Sequence, residues 1–325
     1  MSHLRSASLL LLIGALVALA GRVPSAHAYG SRAALDLENL QPAPGAGRLF
    51  SIDLGRTGTH LSVVPQAVLQ YADRPLVVLC NSTCPPRAYV PLVAHRVTAD
   101  LSLALSLWGR LQLAIAVPAA LYQYSDPELQ DPSVNQTNRV TMLPDIPVPQ
   151  PAGIGNVRLH AKVALLPERS RFGLGLSGTL SLPSGDGDSF LGTRLPVFTA
   201  QLLGHAEYRR LLIAVNLGGR FGAEEQVLDL PSGIALTYGL GAQLQLLGSE
   251  QEDMALYLLS EVYGRSYVRF AAPTDFPHEV LLGLKAAPRR WSVFSGLGAT
   301  LVPGAGTPNV RFVIGLSYSS KGRSG

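Results

Sequence analysis

The sequence predicts an all-β protein, a transmembrane antiparallel β-barrel of about 12 strands with short periplasmic turns and longer outer loops. Three observations predict it. Apolar and polar residues alternate in runs of about ten residues or more, the length of a membrane-crossing strand and longer than the usual five or six of a soluble sandwich. The chain is 47% hydrophobic and only 15% charged, yet after its N-terminus it has no uninterrupted apolar run of about 18 residues that would cross a bilayer as a helix. The connections between runs are short and long by turns, which a barrel requires and a secreted sandwich does not.

The first 28 residues read as a secretory leader. A basic start (MSHLRS) precedes an apolar core (ASLLLLIGALVALA) and a small-x-small end at Ala26-His27-Ala28, where cleavage is expected. The net charge is +4. Loss of Arg5 and Arg22 with the leader leaves about +2, too little to suggest nucleic acid as a partner. Residues 29–58, which include DLENLQPAPGAGRLF, lack sustained alternation and read as a periplasmic N-terminal arm or a plug at the barrel mouth. Residues 59–318 read as the barrel and 319–325 as a short C-terminal tail.

Within the barrel the alternation is clearest from Asn156 to Gly185. Leu159, Ala161 and Val163 alternate with Arg158, His160 and Lys162. After a turn, Leu174, Leu176 and Leu180 alternate with Gly173, Gly175, Ser177 and Thr179. This is a hairpin with one apolar and one polar face. Runs 59–71, 89–107 and 110–124 precede it. Runs at about 194–207, 210–222, 232–247, 253–264, 278–287, 290–302 and 309–318 follow it, giving the even strand number expected of a bacterial single-chain barrel. Run 253–264 is the least clear, because both of its faces are apolar. Tight turns are expected at Trp108-Gly109, Glu168-Arg169, Arg209-Arg210 and Pro288-Arg289, and a slightly longer one at 248–252. Long links are expected at 73–88, 125–154, 184–193, 223–231, 265–277 and 303–308. Trp108, Tyr208 and Trp291 fall at short-turn ends, and Tyr71, Tyr89, Tyr122 and Tyr124 near long-loop ends. Trp and Tyr favour both membrane interfaces because each has an apolar body and a polar edge.

The segment SLPSGDGDSFLG (181–192), taken with the twelve-strand layout and DLENLQPAPGAG (36–47), resembles transporter-type outer-membrane barrels related to the phenol-degradation channel family, whose members carry an LPTGD-like loop. It is especially similar to the barrel half of myxobacterial OmpA-family proteins. The resemblance spans most of the mature chain and rests on short motifs. Such relatives often continue into a peptidoglycan-binding domain. This chain stops at SYSSKGRSG, so no peptidoglycan anchor is carried over, and the terminal Phe or Trp common in such barrels is not present.

Several constellations bear on function. Gly173, Gly175 and Gly178 fit G-x-G-x-x-G, but they lie inside an alternating strand with no helix after it. They read as room for close packing or for the lumen, not as a nucleotide loop. Cys80 and Cys84, in CNSTC, read as a small disulfide in an oxidising compartment. No metal ligands cluster near them. The sequons at Asn81 and Asn135 carry no meaning on a bacterial surface. His60 and Ser62 are the sharpest catalytic hint, since H-x-S on a strand puts both side chains on one face, here the inward one. An outer-membrane lipid hydrolase could use such a pair with His as general base; the plainer reading is two lumen residues.

The inward charged set is Arg96, Asp100, Arg158, His160, Lys162, Arg220, Glu261, Glu279 and Lys285. Bases outnumber acids in it. It forms either a selective pore leaning towards anions and polar solutes, or a set of charges that pair with one another across a narrow lumen. The expected location is the Gram-negative outer membrane. The expected partners are outer-membrane lipid and lipopolysaccharide, a small-molecule solute and, during biogenesis, the barrel-assembly machinery. No cofactor is implied. The chain therefore reads as a non-enzymatic channel or transporter, with a closed structural barrel as the alternative.

Overall fold

The computed structural model describes residues 36–45, 49–80, 88–125, 149–167, 170–223, 233–248, 254–268 and 276–320. The strands are β1 (Ser62–Cys80), β2 (Ala88–Leu107), β3 (Leu111–Tyr124), β4 (Gly153–Ile154), β5 (Arg158–Ala164), β6 (Phe172–Ser181), β7 (Val197–Tyr208), β8 (Leu211–Phe221), β9 (Ala235–Gly248), β10 (Met254–Tyr267), β11 (His278–Pro288), β12 (Trp291–Val302) and β13 (Val310–Tyr318). The two residues of β4 and the seven of β5 pair with the same neighbour, β3, at successive heights, so they form one interrupted strand. The result is a closed, antiparallel, up-and-down barrel of 12 strands. It closes where β1 pairs with β13 from Gln66↔Ser317 to Asp73↔Val310. Closure leaves no open edge, as a strand in lipid requires.

Side chains follow the period of two. On β3, Leu113 and Ile115 point outwards while Gln112, Ala114 and Ala116 are buried inside. The outer wall is a continuous band of exposed Leu, Ile, Val and Phe, including Leu101, Leu103, Leu174, Leu240 and Leu297. Such a surface far exceeds the apolar patches of soluble proteins and suits contact with lipid.

The turns and loops are sorted by length. At one end β7–β8 and β11–β12 are joined by two residues each, and β2–β3 by three. Trp108 (φ 55°) and Gly109 (φ 64°) are both left-handed, and Arg110 N–H donates to the Leu107 carbonyl at 3.1 Å. This is the hairpin turn whose twist matches the flanking strands. Of the described links, the long ones between β6 and β7 and between β12 and β13 stand at the opposite end. Residues 73–80 and 88 are strand, where the sequence suggested a loop. β1 and β2 run for 19 and 20 residues, about twice a membrane crossing. Beyond Asp73, β1 keeps only β2 as its partner, so this hairpin rises past the rim. A bulge between Asp73 and Leu76, with Arg74 at φ 50°, marks the departure. The leader, the Glu168-Arg169 turn, Cys84, Asn81 and Asn135 lie outside the described residues, and the Cys80 side chain is likewise not described.

Residues 36–45 and 49–58 lie inside the barrel. Leu40, Leu49, Phe50, Ile52 and Leu54 form one buried cluster with wall residues Val68, Leu212, Tyr257, Leu259, Tyr263, Phe294 and Val313. This accounts for the doubly apolar β10: its outward face meets lipid, and its inward Tyr257, Leu259 and Tyr263 meet the inner segment. Inward glycines mark the same footprint. A Cβ on Gly241 would lie 2.6 Å from Leu49 Cδ1, and one on Gly283 or Gly296 would lie 2.6 Å from Phe50 Cζ. Gly175 packs against the backbone of Gly55, so the strand glycines provide room for a second chain in the lumen.

Candidate functional site

The lumen is built from two sets of residues, the inward positions of the strands and the non-periodic inner segment. That segment starts at the long-loop end, where Asp36 bridges to Leu191 and Leu37 lies against Gly306. It reaches the short-turn end, where Arg56 pairs with Glu207 at 2.7 Å and Gly58 lies against Ser62 and Ser106. Between these points its polar groups meet the wall charges one by one.

Arg158 is fully buried and contacts two carboxylates, Asp100 on β2 and, at 3.1 Å, Glu38 of the inner segment. Lys162 donates to Asp53 at 2.7 Å. Glu261 accepts from the backbone N–H groups of Phe50 and Ser51 and from the Ser51 hydroxyl at 2.6 Å. Glu279 accepts from Asn39 Nδ2 at 2.7 Å, Arg311 Nε at 2.8 Å and the Tyr263 hydroxyl at 2.9 Å. Arg96 donates to Gln123 Oε1 and to the Phe190 carbonyl of the 182–196 loop. Lys285 reaches Gln243 and lies over the Tyr257 ring, 5.5 Å from its centroid. His160 Nδ1 is 2.9 Å from Thr179 Oγ1, while its Nε2 has no partner among the described residues. Arg220 lines the cavity described below. All nine charged or imidazole positions singled out from the sequence therefore occur on the interior side of the wall.

The count of acids against bases differs from the sequence reading. Asp53, outside the strands, supplies the counter-charge for Lys162, and Arg158 is matched by Asp100 with the Glu38 carboxyl bonded beside it, so the ladder Arg158–His160–Lys162 is not an open row of positive groups. Arg311 also belongs to the lumen. Its alternation between the outward Val310 and Phe312 was readable in the sequence. His205, whose Nδ1 accepts from Gly55 N–H at 3.2 Å, and Asn216 beside Asp53 likewise line the interior. Neither carries a charge pattern that would have marked it.

His60 and Ser62 do not share a face. Leu61 adopts φ 58°, which breaks the alternation just before β1. His60 is exposed at the short-turn rim, stacked 6.4 Å from Trp108, and its Nδ1 accepts from Trp108 N–H at 3.0 Å. Ser62 is buried on the interior side. A base and a nucleophile so placed cannot act on one bond.

Burial pushes the Glu38 carboxyl up from 4.5 to about 8. The Arg158 charge pulls it down by less, and Asp100 and Asp36 push in the same direction as burial. Arg158, already matched by Asp100, cannot fully compensate a second buried carboxylate.

The inner segment does not fill the lumen. Beside it, against β5–β10, lies a cavity of about 140 Å³ lined by Gln41, Lys162, Thr199, Gln201, Arg220 and Arg265, among others.

No family model and no curated protein match this chain. Among solved structures it is similar to an outer membrane channel from Pseudomonas putida F1, with a TM-score of 0.55 and 12% identity over 86% of this chain and 100% of that one. LpxR from Salmonella typhimurium aligns with a TM-score of 0.42 and 8% identity over 78% of this chain and 99% of that one. The translocator domain of the autotransporter NalP from Neisseria meningitidis aligns with a TM-score of 0.41 and 12% identity over 81% of this chain and 89% of that one. At these identities the first likeness is one of fold: the chain has the closed barrel of an outer-membrane protein.

Proposed function

We propose that this protein is an outer-membrane channel for small polar solutes, with a path that runs beside the inner segment. The observation that carries the reading is the cavity of about 140 Å³ along β5–β10. A barrel evolved only to be closed has no need of a polar space lined with hydroxyl, amide and guanidinium groups. The apolar outer wall supports insertion in the outer membrane, with lipid and lipopolysaccharide around it and the assembly machinery as its route there. The fold it shares with a P. putida outer membrane channel, and the resemblance of 181–192 to phenol-degradation channels, agree with this reading.

A second reading has its own support. The inner segment is tied to the wall by ion pairs at Asp53 and Arg56 and by the hydrogen bond from Arg158 to Glu38, which is what a permanently closed structural barrel would show. Purified protein in planar bilayers separates the two. Discrete small conductance steps are expected. Folded, heat-modifiable protein that never conducts would overturn the channel reading and leave the closed barrel.

A further inference from the structure

The cations of the lumen differ in what they meet. Arg158, Lys162 and Arg311 each meet a carboxylate, and Arg96 and Lys285 are held by Gln123, the Phe190 carbonyl, Gln243 and the Tyr257 ring. Arg220 and Arg265, both lining the cavity, ion-pair with no carboxylate among the described residues; the Arg265 partner is the Tyr267 hydroxyl. The two arginines are held on the same side of the wall. Arg220 on β8 pairs with Ala235 on β9, and two residues further along β9 Thr237 pairs with Arg265 on β10. One intervening strand and the two-residue offset set their backbones about 12 Å apart, within reach of two long side chains; Tyr267 acts on both guanidiniums, and the Arg265 charge opposes that of Arg220. Among the described residues the cavity offers no remedy of its own: the one acid lining it, Asp53, is taken by Lys162 at 2.7 Å. Two like charges beside a space with no free acid among the described residues form an arrangement that an incoming anion relieves.

We infer that this cavity is a binding site for a small hydrophilic dicarboxylate, anchored by Arg220 and Arg265. The inference rests on the reading of the lumen as a solute path. A planar guanidinium matches a carboxylate through two parallel N–H···O bonds, and two of them suit a ligand with two such ends. Thr179, Thr199 and Thr237 add hydroxyls. His160 adds a further group: when Thr179 donates to Nδ1, the proton sits on Nε2, the nitrogen without a partner. The volume of about 140 Å³ holds a solute of several heavy atoms but not an oligomer.

The test uses the full chain, folded in detergent, titrated calorimetrically with succinate, with its neutral isostere succinamide and with inorganic phosphate. Succinate is expected to bind and succinamide not. Arg220→Gln and Arg265→Gln should each weaken succinate about tenfold or more, the usual consequence of removing one charged hydrogen-bonding partner. Equal behaviour of succinate and succinamide, or tighter binding of phosphate than of succinate, would overturn the assignment. So would variants that fold, by heat-modifiable migration, and bind succinate as the parent does. If a variant does not fold, the comparison of the three probes on the parent protein decides. The two proposals fail separately. A barrel that binds succinate without conducting keeps the site and loses the channel, and a conducting barrel indifferent to succinate keeps the channel and loses the site.

Discussion

Arg158 shows at the residue scale how wall and inner segment depend on each other. One guanidinium faces two carboxylates, Asp100 from the wall and Glu38 from the segment, with Arg96 and Asp36 also acting on Glu38. Three charges of which two are alike cannot all be satisfied in a buried place, so Glu38 keeps its proton until about pH 8. The folded protein thus holds this proton more tightly than the unfolded chain, whose Glu titrates near 4.5. The stability from this source is full below pH 4.5, declines as the pH climbs from 4.5 to 8, and is flat above. Glu38→Gln keeps the shape and removes the titration. Thermal unfolding at pH 5 and pH 9 should show the parent losing more stability than Glu38→Gln between the two. Parallel losses would mean that Glu38 is not held in this buried cluster.

Two elements, β11 and β12, show how strands make room for a second chain. Gly283 and Gly296 pair with one another across the sheet, and the Phe50 ring edge lies against both. Phe50 also meets Phe294 edge-on, with ring centroids 5.5 Å apart. An added Cβ at Gly296 would approach Phe50 Cζ to 2.6 Å. Gly296→Ala should therefore cost about 1–3 kcal/mol by overpacking, read as a lower temperature for loss of the fast-migrating folded form. Adding Phe50→Ala should recover part of that loss, because the clash is with a side chain of the inner segment. A loss that Phe50→Ala leaves unchanged would place the strain in the sheet itself.

For the whole molecule, 12 strands set a lumen of intermediate width. Barrels of about eight strands are filled by their own side chains, and those of 16–18 hold an aqueous channel. This barrel is filled partly by its own chain and keeps a cavity beside that chain against β5–β10. Deleting residues 36–53 while keeping residues 1–35 should raise the single-channel conductance severalfold. It should also lower thermal stability, since Leu40, Leu49, Phe50 and Ile52 leave their cluster and Arg158 and Lys162 lose partners. Conductance unchanged by the deletion would show that the inner segment does not narrow the path.

By itself the sequence determined the antiparallel barrel of about 12 strands, the apolar face of its strands and much of its inward charge, though not Arg311, and it took the upper part of β1 for a loop. A strand in a membrane leaves little choice, because its period is two and one face must be apolar over the full crossing. What β10 lines was not legible, since an inward Tyr257 or Leu259 looks the same as a second lipid face until its partner is placed. Nor was the fate of the charged ladder. Glu38 and Arg158 are 120 residues apart in the chain, and Asp53 and Lys162 are 109 apart. The inner segment has no periodicity that would register it against the wall, so only tertiary packing decided which cations meet a carboxylate and which, Arg220 and Arg265 among them, meet none among the described residues. The same holds for His60 and Ser62, where a single left-handed residue, Leu61, undid a pairing that spacing alone suggested.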